Sequence, residues 1–243
     1  NDNTAVGASA LTANTGGAST TGIGSGALSA NTTGASNTAV GAGSLNDNTT
    51  GANNVALGRN TLSLNVTTSS NTAIGHEALK ANTASNNTAV GNAALVANTT
   101  GASNTAMGHS ALAASTTGTE NVAVGMYALD ASGAGTDGSY NVAVGNDAMA
   151  ANTEGQFNVA VGRRALYANT VADENTAVGY LALMANTTGD SNTAIGVSAL
   201  QANTTASDNI AIGNRTMSAN TTGTRNIAIG YSAYTGSDTE SDN

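Results

Sequence analysis

Small aliphatic residues recur along this chain at a fixed spacing, and nearly every one is followed by a glycine. The phrase N-[TVI]-A-[VILM]-G-x-x-A-L-x-A-N-T-T-G-x-x repeats from Asn3 to Tyr234. Its anchor is the glycine at positions 7, 24, 41, 58, 75, 91, 108, 125, 145, 162, 179, 196, 213 and 230. Of the thirteen intervals, eleven are 17 residues long, one is 16 and one is 20. Both irregular intervals deviate after the A-N element, the longer one through the insertion "GAGTDGSY" at 133–140, which marks that place as a surface turn.

A short period kept over fourteen copies signals one structural unit stacked on itself. Seventeen residues are too few for a helix pair, and N-[TVI]-A-[VILM] alternates with period two and is rich in β-branched residues, as a strand is. The pattern predicts an all-β parallel β-solenoid, or β-roll, of about fourteen 17-residue coils. Each coil has two short strands, N-[TVI]-A-[VILM] and A-L-x-A-N, a glycine corner between them and a T-T-G turn to close. Residues 1–234 form a single repeat domain, and 235–243 form an acidic tail or the start of a next segment.

Period two then sorts the side chains. The reading places the aliphatic column (Val6, Ile23, Val40, Leu57, Ile74 and onward to Ile229) in the core. With it go the Thr/Val/Ile column two residues earlier, the Leu column (Leu11, Leu28, Leu45, Leu62 onward) and Ala13, Ala30 and their equivalents. The opposite face of the first strand is Ala in thirteen coils and Gly22 in the other. The position after the Leu varies freely through Thr12, Ser29, Lys80, Asp130, Tyr167 and Gln201, so the constancy of the Ala column implies that something packs closely on it. The expected assembly face, met by another copy of the chain, is Ala5, Ala39, Ala56, Ala73, Ala89, Ala106, Ala123, Ala143, Ala160, Ala177, Ala194, Ala211 and Ala228. Asparagines at both strand ends (Asn14, Asn31, Asn48 and Asn37, Asn54, Asn71) are expected to stack as amide ladders.

N-[TVI]-A-[VI]-G followed by A-L-x-A-N resembles the head repeats of YadA-like trimeric autotransporter adhesins, which form a left-handed parallel β-roll. Closer still are the "NTAVG…AL…NTTG" repeats of bacteriophage tail-fibre-like proteins and large bacterial surface proteins. The resemblance covers Asn3 to Tyr234 and implies a homotrimer of β-rolls in a stiff extracellular fibre on a cell surface or virion, or in a secreted filament. The adhesin head repeat departs from this chain in being shorter, near fourteen residues, and in its second strand.

Composition narrows the partners. The chain carries a net charge of −9 with only six basic residues, which disfavours nucleic acid and anionic membrane surfaces. No apolar run approaches the roughly 20 residues of a membrane span. There is no cysteine, hence no disulfide framework. The chain opens inside a repeat, as an excised segment or mature product would. The expected partners are further copies of itself and a cell-surface or carbohydrate receptor.

No catalytic constellation emerges, and the expectation is that the protein is not an enzyme and carries no cofactor or metal. His76 and His109 share one variable column and lack further zinc ligands. Asp173, Glu174, Asp190 and Asp208 line one turn edge and read as a solvated edge rather than a calcium site. The N-T-T sequons at Asn31, Asn48, Asn98, Asn186, Asn203 and Asn220 read as the repeat's turn, glycosylated only in a suitable host. One patch breaks the small-residue pattern: Arg163, Arg164, Tyr167, Tyr180, Leu181 and Met184 sit at variable outward columns of two adjacent coils and form the candidate contact site. The leading functional expectation is a self-assembling structural and adhesive fibre segment. The alternative is a solenoid that binds ice or a polymer surface through Thr rows such as Thr32, Thr49, Thr99 and Thr187, although these rows are interrupted at Val66 and Gly133.

Overall fold

The computed structural model describes residues 2–131, 138–234 and 241–242. The insertion at 133–140, including the row interruption at Gly133, lies largely outside these residues, as does most of the 235–243 tail. The described residues fold as an all-β parallel β-solenoid whose strands are each three residues long. They fall into two compact units. The first, Asn1–Glu120, holds β1 (Thr4–Val6), β2 (Thr21–Ile23), β3 (Thr38–Val40), β4 (Val55–Leu57), β5 (Thr72–Ile74), β6 (Thr88–Val90) and β7 (Thr105–Met107). The second, Asn121–Asn243, holds β8 (Val122–Val124), β9 (Val142–Val144), β10 (Val159–Val161), β11 (Thr176–Val178), β12 (Thr193–Ile195), β13 (Ile210–Ile212) and β14 (Ile227–Ile229). Within each unit every strand pairs in parallel with the next in sequence, and the register puts like on like: Thr38 beside Val55, Ala39 beside Ala56, Val40 beside Leu57.

The anchor glycine ends each strand. Gly91 has φ +142°, and a methyl group on it would lie 2.3 Å from the carbonyl oxygen of Gly108 in the next coil. No side chain fits a corner where neighbouring backbones approach this closely.

The segment expected to be a second strand is a chain of turns. In the first coil Ser9 (φ 59°) and Leu11 (φ 53°) are both left-handed, and the same alternation recurs coil after coil. Two consecutive side chains, such as Ala27 and Leu28, are both fully buried, which the alternating faces of a strand do not allow. The ladder between coils continues regardless, with Leu28 N–H donating to the Ser44 carbonyl at 3.0 Å and Ala30 N–H to Asn46 at 3.0 Å. A-L-x-A-N imitates period two in sequence while its backbone alternates in φ instead.

This geometry reverses the expected sorting of the strand faces. The Ala column points inward, and Ala39, Ala56, Ala73, Ala89, Ala106, Ala123, Ala143, Ala160, Ala177, Ala194 and Ala211 have no exposure. Ala228 is 7% exposed, and only Ala5, in the first coil, is open. Their close neighbour is the chain's own Leu column: a methyl group on Gly22 would sit 3.3 Å from Leu11 Cγ. The inference of tight packing holds, but the packing partner is the opposite wall of the same coil. Ala123→Leu and Ala160→Leu therefore challenge the fold itself. The aliphatic and Thr/Val/Ile columns point outward, and Ala13 and Ala30 are exposed and half-buried, respectively. The core is the Leu/Met column (Leu28, Leu45, Leu62 through Met217), the inward Ala column and the residue before each Leu, such as Ala27 or Thr61.

Two buried asparagine ladders close the coil. In the first, Asn31 Nδ2 donates to Asn14 Oδ1 at 2.9 Å and to the Gly34 carbonyl at 3.0 Å, and Asn48 Nδ2 donates to Asn31 Oδ1 at 2.8 Å. In the second, Asn54 N–H donates to Asn37 Oδ1 at 2.9 Å while Asn37 Nδ2 reaches the Gly51 carbonyl at 2.7 Å. The rungs satisfy polar groups that burial would otherwise make costly.

The first ladder has a defect at Ser115, which stands where a further asparagine would continue Asn82 and Asn98. A serine side chain is too short to span the rung, and Asn98 Oδ1 is buried without a hydrogen-bond partner. Ser115→Asn should supply the missing donor and raise stability by about 1 kcal/mol, read as a higher urea midpoint. An unchanged or lower midpoint would mean that the coil has no room for the rung.

Candidate interaction surfaces

Three surfaces of the solenoid carry distinctive side chains. The first is the outward face of the sheet. Its two columns begin with Thr4 and Val6 and end with Ile227 and Ile229. The first column holds only Thr, Val and Ile; the second holds Val, Ile, Leu and Met, and none of its side chains is polar. None of these residues is buried, and Ile23, Leu57, Met107, Val161 and Ile195 are among the exposed apolar side chains.

The second surface is the T-T-G turn edge. Thr32 Oγ1 donates to the Thr49 carbonyl at 3.0 Å, Thr49 to Val66 at 3.1 Å, Thr99 to Thr116 at 2.9 Å and Thr187 to Thr204 at 3.0 Å. These hydroxyl protons belong to the coil-to-coil ladder, which weighs against their use as a regular array facing a crystalline target. The asparagines of the sequons are buried here: Asn31, Asn48, Asn98, Asn186 and Asn203 have no exposure and Asn220 has 2%. Along the same edge Asp173 Oδ1 accepts the Gln156 N–H at 2.6 Å, and Asp190 Oδ1 accepts the Asp173 N–H at 2.8 Å. Asp173 and Asp190 thus form a side-chain-to-backbone ladder on this edge. Among the described residues no group of three or more His, Cys, Asp or Glu is placed to hold a metal ion.

The third surface is the wall of turns that follows the anchor glycine. His76 and His109 are exposed on it. Nearby, the Lys80 ammonium, 2.8 Å from Glu77 Oε1, holds that carboxyl below its usual range by hydrogen bonding. The candidate contact patch lies on the same wall. Arg163 stands over the Tyr180 ring at 5.9 Å and Arg164 over the Tyr167 ring at 5.3 Å, both within cation–π reach. Arg164 Nε lies 3.5 Å from Asp147 Oδ2. Leu181 and Met184 are half-buried, so the patch resolves into two Arg–Tyr pairs flanked by partly covered apolar residues.

Beside Tyr167 opens a cavity of about 560 Å³ that also meets Tyr127, Asp130 and Asp147. The sequence reading did not single out these three residues. Their signal was available in the columns two and five places after the glycine, where they line up with Arg164 and Tyr167 once the coils are stacked. Elsewhere on the protein, Tyr140 and Phe157 stack with ring centroids 5.0 Å apart.

No protein-family model matches the chain, and no curated relative matches it either. Among the described residues no helix is long and apolar enough to cross a membrane.

Proposed function

We propose that the protein is a structural, self-assembling segment of an extracellular fibre. It associates with further copies of itself through the outward aliphatic face of its sheet, and it presents its turn wall for attachment. One observation carries the reading: fourteen strands expose two columns that contain no charged residue, and in one of them no polar residue at all. Soluble chains rarely leave so regular an apolar strip uncovered.

A second copy is the occupant this face fits best. Within each unit its ridges repeat at the strand spacing of about 4.8 Å, a pitch that the same unit of another copy matches. Pairing the faces of both units with those of a second copy would remove on the order of 1,200 Å² from water, at the lower end of stable interfaces. The mixture of Leu57, Met107, Val and Ile suits interdigitation with other side chains better than contact with a rigid lattice. The resemblance to trimeric adhesin heads and phage fibre repeats supports the extracellular setting and a homotrimer or filament.

The test is native mass by light scattering at several concentrations. The wild-type chain should scatter as a multiple of 23.4 kDa. Val161→Lys combined with Ile195→Lys should reduce it to a single chain with an unchanged circular dichroism spectrum, because paired surfaces cannot desolvate uncompensated charges. A wild-type monomer at every concentration, or an assembly indifferent to both lysines, overturns the proposal.

A further inference from the structure

The turn wall of the coils built on β8, β9 and β10 carries aromatic or charged side chains on three successive coils. Two places after the anchor glycine these three coils carry Tyr127, Asp147 and Arg164, in a column that elsewhere runs from Ser9 and Gly26 to Glu77, Leu181 and Arg215. Five places after it they carry Asp130, Ala150 and Tyr167, in a column that elsewhere runs from Ser29 and Ala113 to Lys80, Met184 and Gln201. Large polar and aromatic side chains therefore surround one small residue. Ala150 is the gap, and it lines the cavity of about 560 Å³.

The stacking fixes the slot's width. Asp130 and Tyr167 stand two coils apart, roughly 10 Å, with only the Ala150 methyl between them. A six-membered sugar ring fits that interval. The two tyrosines on the lining offer ring faces, Asp130 and Asp147 offer carboxylate acceptors, and Thr153 adds a hydroxyl. Arg164 stands over Tyr167 at 5.3 Å, and its Nε, closed to solvent, lies 3.5 Å from Asp147 Oδ2.

We infer that this slot binds a pyranose ring of a neutral glycan. The apolar C–H face of the ring lies against a tyrosine, as amphipathic surfaces favour. Its hydroxyls donate to the Asp130 and Asp147 carboxylates and to Thr153 Oγ1. Arg164 beside Asp147 offsets one of the two carboxylate charges, so the slot is not primarily a trap for cations. The inference gives a ligand class to the attachment surface proposed above and rests on that part of the reading. It is independent of self-association through the sheet.

The experiment is saturation-transfer difference NMR on the full chain with the methyl glycosides of glucose, galactose, mannose and N-acetylglucosamine. At least one should receive saturation at its ring C–H protons. Tyr167→Ala, which removes an exposed ring, and Ala150→Leu, which fills the slot from its floor, should each weaken that binding roughly tenfold. Circular dichroism and native mass should stay unchanged in both variants. The inference is overturned if no glycoside is saturated, if the signal survives both variants, or if tetramethylammonium is saturated and no glycoside is. A chain that binds a glycoside yet scatters as a monomer overturns the assembly proposal alone, while an assembled chain that binds none overturns this one alone.

Discussion

Gly91→Ala should destabilise the first unit by about 4 kcal/mol, combining backbone strain with a broken rung of the ladder. The added methyl would lie 2.3 Å from the Gly108 carbonyl oxygen and 2.6 Å from its carbon, on a backbone with φ +142°. Relief requires the two coils to separate, and that separation stretches the bond from Gly108 N–H to the Val90 carbonyl, now 2.8 Å. Gly26→Ala is the matched comparison. Its φ is +71°, and the methyl would meet only Asn46 Oδ1, at 3.3 Å. Other coils already place Ala93 and Glu77 there with φ 55° and 58°. That substitution should cost less than about 1 kcal/mol. Urea midpoints of the two variants decide the matter. Equal shifts would show that the close approach of the coils at the anchor glycine is not what excludes other residues.

Asn192→Ala should cost about 3 kcal/mol, for a reason that has nothing to do with hydrophobic burial. Asn192 Nδ2 donates to the Ala206 carbonyl at 2.8 Å and to Asn175 Oδ1 at 3.1 Å, and its Oδ1 accepts from Asn209 N–H at 3.1 Å and Nδ2 at 3.2 Å. Asn192 and Asn209 are both fully buried. Alanine leaves the Asn209 N–H with no acceptor and no water to replace it, and each such orphan carries a penalty of about 1–3 kcal/mol. Amide hydrogen exchange gives a second readout. The Asn209 amide should lose protection out of proportion to its neighbours, whereas a uniform loss along the unit would point to general loosening.

The repeat made most of the fold legible. Period, coil number, the surface turn, parallel stacking and the asparagine ladders all follow from N-[TVI]-A-[VILM]-G and its spacing. What misled was the assumption that bulk marks the inside. In a globule, Val6 or Ile23 would be core and Ala39 a surface residue. In a 17-residue coil the interior is so narrow that one Leu spans it, and the strand opposite can contribute only a methyl. The β-branched residues are then left outside. The left-handed Leu column was hidden for a related reason. Leucine is a poor candidate for φ near +50°, and only stacking against identical coils makes that conformation worthwhile. The contact patch was half legible: Arg164 and Tyr167 stood out as unusual residues, but Tyr127, Asp130 and Asp147 become their neighbours only when three coils are superposed.

The buried amides also bear on where this chain can be made. Asn31 Nδ2 and its equivalents are the nitrogens to which an oligosaccharide would be joined in a secretory pathway that modifies N-T-T, and that modification occurs while the chain is still emerging. In the finished coil each of these nitrogens already donates inward, to an asparagine oxygen and a backbone carbonyl, with no path to solvent. Sugar attachment and coil closure are therefore competing fates for the same atom. The outcome depends on timing, because a coil sealed by its successor is beyond the transferase's reach and a coil modified first can no longer seal.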